Sequence, residues 1–187
     1  MKVRPAKSWL KRLGIGVVLA VLVIWAGYTA LSNAFYHGRM PEHAGVGRIL
    51  YKRVESFGFG PGGNETGLVI FRMNAHAVKR LQSDPDAFFQ KVSESGSGRC
   101  HRFRSWTETP FVPEQRWGEA SRSVEPGSPA TIEEITNQYG FGIRFNARYV
   151  RMLNDSFARP GSYLGSGGCG SVVLMPEQRA AAYIIVG

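Results

Sequence analysis

An uninterrupted apolar segment near the N-terminus dominates the hydrophobic pattern of this chain. Residues 13–31 form a run of nineteen residues without a charged side chain. An α-helix rises about 1.5 Å per residue, so about 20 residues span the hydrocarbon core of a bilayer. The pattern therefore predicts a transmembrane signal anchor over 13–31, preceded by a basic tail over 1–12. We expect a juxtamembrane spacer over 32–51 and a single domain over 52–187.

The charge on the two sides of this segment predicts its orientation. Five basic residues and no acidic residue precede it, namely Lys2, Arg4, Lys7, Lys11 and Arg12. Such a bias holds the N-terminus in the cytoplasm, so the protein should lie in the inner (plasma) membrane with its C-terminal domain periplasmic. Two alternatives stay open. Ser32-Asn33-Ala34 could be the cleavage site of a signal peptide, or the segment could be a buried helix of a soluble protein.

Beyond the spacer, the pattern predicts strands and helices in turn. A glycine-rich turn over 57–67 leads into an apolar strand over 67–73. A helix over 75–81 follows an asparagine cap, and its apolar stripe resumes after Pro85, which predicts a broken helix. Residues 99–109 alternate loosely, as in a strand with one partly buried face.

The C-terminal half has the clearest periodicity. A helix should begin at a cap formed by Ser128 or Thr131, and the strongest amphipathic stripe predicts a second helix over 147–158. Two apolar runs, 172–175 and 180–186, predict a hairpin whose last strand docks in the middle of the sheet. The predicted fold class is α+β, with an antiparallel sheet packed against about three helices.

The net charge of +9 suggests nucleic-acid binding only at first sight. Five of the 23 Lys and Arg lie in the tail, which leaves 18 against 14 acidic residues, or about +4, in the rest of the chain. A mildly basic domain that has crossed a membrane meets no nucleic acid. We therefore expect no nucleic-acid partner.

The chain contains two cysteines, Cys100 and Cys169, and both lie in the part predicted to be exported. In an oxidising compartment such a pair predicts a disulfide bond. Closing a loop of about 70 residues would stabilise the fold by about 4 kcal/mol in the chain-entropy view. Two unpaired buried thiols and a catalytic thiol are the alternatives.

The sequence lacks the usual spacing patterns of catalytic and metal-binding sites. It contains no Gly-x-Ser-x-Gly elbow, no His-Glu-x-x-His, no Cys-x-x-Cys and no phosphate-binding loop that ends in Gly-Lys-Ser/Thr. We predict no catalytic residues, no metal and no cofactor. The alternative is an envelope hydrolase or transferase that uses Cys169 or Ser166 as its nucleophile, with a histidine as base.

Arginine and tryptophan alternate in the segment between the two halves of the domain. These residues are enriched at binding hot spots, and we predict a binding surface formed by Arg102, Arg104, Trp106, Arg116 and Trp117. The alternative is that the rings belong to the core. The predicted function is a single-pass membrane-anchored domain that binds or scaffolds in the bacterial cell envelope. Its partners would be the lipid bilayer, through residues 13–31, and an envelope protein or an anionic lipid or polymer.

Overall fold

The chain divides into two compact units, Met1–His37 and Gly38–Gly187. The computed structural model describes residues 6–57, 64–94, 103–113, 125, 127–138 and 142–186. Each unit is described by itself.

The described part of the first unit is a single long helix, α1, which runs from Ala6 to His37. Its stretch Lys11–His37 is long and apolar enough to cross a membrane, and the same length and composition occur in a signal sequence. Apart from Val112, every large apolar side chain that is exposed in the described part of the protein lies on α1. A helix that is apolar on all sides is suited to a lipid environment.

The second unit is built on an antiparallel sheet of six strands. Along the chain the strands are β1 (Val46–Phe57), β2 (Asn64–Met73), β3 (Phe103–Glu108), β4 (Tyr163–Gly167), β5 (Gly170–Met175) and β6 (Ala180–Val186). In the sheet their order is β1-β2-β6-β5-β4-β3, and each neighbouring pair is antiparallel. The last strand of the chain thus lies between β2 and β5, which confirms the prediction that it docks inside the sheet.

Four α-helices and one 3₁₀ turn accompany the sheet. They are a 3₁₀ helix (Glu42–Ala44), α2 (Ala75–Ser83), α3 (Pro85–Glu94), α4 (Ile132–Thr136) and α5 (Ala147–Ala158). The α+β class and the antiparallel sheet are confirmed. About three helices were predicted beside the sheet, and the described residues form four. The segment predicted as one broken helix forms two, because Asp84 ends α2 and its carboxylate accepts a hydrogen bond from the Ala87 amide at the start of α3.

Both faces of the sheet carry buried side chains. One face packs against α4 and α5 in a core that contains Ile70, Val173 and Phe157. Successive strand residues point to opposite faces, and the intervening residues Phe71 and Val172 are also fully buried. The second face is covered in part by α3, whose Phe89 ring lies 5.0 Å from that of Tyr163 on β4.

The sheet begins earlier in the chain than the predicted spacer allows. Helix α1 continues to His37, and β1 starts at Val46, within the segment 32–51. Gly45 has φ +64, and a Cβ atom there would lie 2.4 Å from the Cβ of Ala77. Glycine at this position is therefore needed for close packing against α2, and not for a loose connection.

Candidate functional site

Only part of the predicted binding surface falls within the described residues. Arg102, Arg116 and Trp117 lie outside them, as does Cys100 of the predicted disulfide bond. Arg104 lies in β3 and pairs with Ser166 of β4. Their grouping as a binding surface therefore stays a prediction.

Trp106, the remaining member of that set, packs into a cluster that we call the aromatic corner, formed by Phe89, Phe103, Trp106 and Tyr163. Its ring stacks on that of Phe89 with centroids 4.7 Å apart and tilts against Phe103 at 6.1 Å. A Cβ atom at Gly165 would lie only 2.7 to 2.8 Å from three atoms of the indole, so β4 needs glycine where the ring crosses it. Trp106 is half-buried, and its buried indole Nε1 has no hydrogen-bond partner among the described residues.

Cys169 lies in the tight turn between β4 and β5. Gly167 pairs with Gly170 across this turn. Cys169 is disulfide-bonded, and its carbonyl oxygen accepts a hydrogen bond of 2.5 Å from the Tyr183 hydroxyl. Because Cys100 lies outside the described residues, the pairing of the two cysteines stays a prediction. A bonded sulfur is not a thiolate, so Cys169 in this state offers no nucleophile.

A second region, not predicted from the sequence, has the properties of a ligand site. It is a cleft of about 600 Å³ at the β1 end of the sheet, which we call the arginine cleft. Four exposed arginines line it, namely Arg48, Arg72, Arg148 and Arg179. Its apolar lining consists of Ile49, Leu50, Tyr149, Met152 and Ala180.

One wall of the cleft forms where the start of α5 packs on β1. The Tyr149 hydroxyl donates a hydrogen bond of 3.2 Å to the Leu50 carbonyl, and the Tyr149 ring stacks on that of Tyr51 at 4.7 Å. The Tyr51 hydroxyl in turn accepts a 3.1 Å hydrogen bond from the amide of Asn146, the residue that caps α5. These contacts fix the start of α5 on β1, and both elements contribute an arginine to the cleft, Arg148 and Arg48.

A further part of the lining comes from the end of β2 and the turn between β5 and β6. Arg72 is paired in register with Ala180, and the Met73 amide donates a 2.9 Å hydrogen bond to the Arg179 carbonyl. Arg179 itself adopts φ +51, a left-handed conformation that glycine would take without strain. The turn is thereby held against β2, with an arginine where stability alone would favour glycine.

The charges of the cleft are not compensated by the described part of the protein. None of its four arginines has an ion pair with a described carboxylate. Arg148 lies in the first turn of α5, which contains no acidic residue, although the positive end of a helix dipole favours acidic side chains. The guanidinium carbon of Arg148 lies 5.8 Å from the centroid of the Tyr149 ring.

Chemically, such a cleft suits an anion. Guanidinium groups donate paired hydrogen bonds to carboxylate and phosphate, and a cleft of this volume is typical of small-molecule sites. Among the described residues no group of His, Cys, Asp and Glu could hold a metal ion.

Sequence reasoning missed the cleft because its arginines come from four separate segments between β1 and the β5–β6 turn. Two signals were nevertheless visible, an arginine within the first turn of the clearest helix and an arginine ending a tight turn.

No protein family, curated protein or solved structure matches the chain.

Proposed function

We propose that this protein is a single-pass membrane protein whose α+β domain lies outside the cytoplasm and binds an anionic ligand in the arginine cleft. The observation that carries the proposal is the convergence of four arginines without described acidic partners on one cleft. Like charges gathered in this way repel one another in the free protein, and an anion would relieve that repulsion.

Two of these arginines are also placed where they oppose folding. A positive charge near the N-terminus of a helix is unfavourable by about 0.3 to 1 kcal/mol, which applies to Arg148. A left-handed backbone conformation at a residue other than glycine is unfavourable by about 1 to 2 kcal/mol, which applies to Arg179. Backbone strain of this kind is frequent at functional sites. Among the described residues Ser105 in β3 also has a positive φ, of +58, so the strain at Arg179 supports a binding role only together with the four charges of the cleft.

The membrane part of the proposal is supported by α1 and its flanking charges. The helix is long and apolar enough to span a bilayer, and the five basic residues before the apolar segment favour a cytoplasmic N-terminus. A disulfide between Cys100 and Cys169 would fit an oxidising compartment on the other side.

Orientation can be tested separately from binding. A reporter that is active only outside the cytoplasm, fused after Gly187, should be active, and protein taken from the membrane should resist alkylation at Cys100 and Cys169 until a reductant is added. Activity of a cytoplasm-only reporter at the same position would contradict the orientation.

Binding can be tested before the ligand is identified. An arginine-specific dicarbonyl reagent should modify the four cleft arginines more slowly in intact membranes than in purified protein washed at high salt in an uncharged detergent. Arg144 and Arg151 are exposed arginines outside the cleft and serve as internal controls. Equal modification of the cleft arginines in both preparations would mean that nothing occupies the cleft, and would contradict the proposal.

A further inference from the structure

We infer that the anion bound in the arginine cleft is the head group of a phospholipid that carries more than one negative charge. This inference rests on the proposed function, because it names the ligand class of the same site. It draws on the mixed lining of the cleft, the number of its charges and the position of β1 in the chain.

The lining of the cleft is amphipathic. Beside the four arginines its lining includes half-buried Ile49, Leu50 and Met152 and the buried Ala180. A free inorganic anion would use the guanidinium groups alone and leave this apolar surface in water. A phospholipid presents phosphate oxygens and hydrocarbon next to each other, so it can use both parts of the lining.

The number of charges favours a head group with more than one negative charge. A single phosphodiester has one negative charge and could satisfy one or two of the four guanidinium groups. A head group with two phosphates, as in cardiolipin, can pair with all four arginines. We therefore expect affinity to rise from a zwitterionic lipid to a singly charged lipid and then to a doubly charged one.

The connection between α1 and the first strand of the domain is short. Arg48 follows His37, the last residue of α1, by eleven positions. If α1 is anchored in the bilayer, this short connection tethers the domain to the membrane. A tethered site meets its ligand at a high effective concentration, so a modest intrinsic affinity suffices.

The test uses the full chain in an uncharged detergent and native mass spectrometry with three added lipids, phosphatidylcholine, phosphatidylglycerol and cardiolipin. A double variant, Arg72→Gln with Arg179→Gln, should bind cardiolipin at least about tenfold more weakly than the natural chain, because each lost charged hydrogen bond contributes substantially to affinity. The matched control, Arg144→Gln with Arg151→Gln, removes the same charge outside the cleft and should change the affinity by less than about twofold.

The control also separates the cleft from the rest of the molecule. Both double variants keep α1 and the basic tail, so lipid bound by those parts is the same in both. A third variant, Arg179→Lys, keeps the charge and loses the paired geometry, and its affinity should lie between those of the natural chain and Arg179→Gln.

Three outcomes would overturn the inference, and they differ in what they leave standing. If inorganic pyrophosphate binds as tightly as cardiolipin and displaces it, the ligand is a soluble phosphate and only the lipid assignment fails. If an acidic peptide binds instead and the lipids do not, the partner is a protein. If both double variants lose lipid equally, the binding is unspecific attraction to a basic protein, and the proposed function fails as well.

Discussion

The two ends of the sheet differ in how closely their side chains pack. At the β3 end, the ring of Phe89 stacks on that of Trp106 in the aromatic corner, and residue 165 is a glycine because the indole occupies the space of a side chain. At the β1 end, the arginine cleft stays open and brings together charges without described acidic partners. One end is organised for packing, and the other is organised in a way that packing does not explain.

The difference teaches where to look for function in this chain. The arginines and tryptophans that alternate along the sequence include Trp106, which has extensive packing contacts in the structure. The arginines that converge in space are far apart in the sequence. The predicted binding surface stays untested, because Arg102, Arg116 and Trp117 lie outside the described residues, whereas Arg148 and Arg179 of the cleft lie at positions that oppose folding.

The largest expected effect comes from removing the strand that joins the two ends. Deleting residues 183–187 removes most of β6, including Tyr183 and Ile184, which are 2% and 1% exposed. Each buried side chain of this size contributes about 1.5 to 3 kcal/mol, against a net stability of about 5 to 15 kcal/mol. The truncated domain should be degraded in limited proteolysis, and both ends should be lost together.

A protease-resistant fragment containing β1, β2 and α5 would contradict this expectation. It would show that the cleft end folds without the corner end, and that the two are independent units. The six strands would then not fold as one cooperative sheet.

The structure explains which elements could be predicted from the sequence. Helix α5 was predicted over 147–158 and is found there, because a cap and a strong apolar stripe specify it locally. Strand β6 was predicted over 180–186 and is found there, because a short continuous apolar run is typical of a buried strand, and all of its residues but Val186 are buried. Strand β4 was missed, because two of its five residues are glycines and only the Trp106 ring, distant in sequence, accounts for Gly165.

Strand β1 and the arginine cleft were missed for a related reason. β1 lies at the edge of the sheet and has register shifts near Ile49, which interrupt the alternation that would reveal it. The cleft depends on the pairing of Arg72 with Ala180 and on the packing of α5 on Leu50, both of which are tertiary contacts. Contacts between residues this far apart in the sequence cannot be recognised from a spacing pattern.

The second prediction concerns crowding in the aromatic corner. Gly165→Ala should destabilise the domain by about 1 to 3 kcal/mol, because the new methyl group would overlap the indole of Trp106. Chemical denaturation measures the change. The control is Gly47→Ala in β1, where the nearest atom to the new methyl group would be the Arg72 carbonyl oxygen at 3.5 Å, and where we expect a change within about 0.5 kcal/mol.

A double-mutant cycle sharpens this prediction. In a Trp106→Leu background the additional destabilisation by Gly165→Ala should be much smaller, because the smaller side chain leaves space above β4. If the two substitutions were additive, the indole would not be the group that excludes a side chain at residue 165.

The third prediction is a weaker, pH-dependent effect in the same corner. Burial, and then the charges of Glu108 and Asp86, raise the pKa of Tyr163 above its ordinary value of 10.0. The folded protein therefore holds this proton more tightly than the unfolded chain. The resulting stability is present below pH 10.0 and is lost as the pH rises through the pKa of the folded state.

Thermal unfolding followed from neutral to strongly alkaline pH should show this loss. Tyr163→Phe should give a shallower fall in melting temperature at alkaline pH than the natural chain. Glu108→Gln should have an intermediate effect, because Gln keeps an acceptor for the Gly161 amide but removes the negative charge. Identical alkaline profiles for the natural chain and Tyr163→Phe would contradict the prediction.

The smallest expected effect on stability is that of substitutions in the arginine cleft, because its arginines are not expected to stabilise the fold. Arg72→Gln with Arg179→Gln should leave the free energy of unfolding of the ligand-free domain unchanged, or raise it by up to about 0.5 kcal/mol, because it removes exposed charges that repel one another. The change should be larger at low than at high ionic strength, because salt screens the repulsion between exposed charges. The screening length is about 10 Å at 0.1 M and becomes shorter as the salt concentration rises. Thermal melts of the natural chain and the double variant at both ionic strengths measure it. A salt-independent loss above about 1 kcal/mol would make these arginines structural, and the cleft would then be organised for folding, as the corner is.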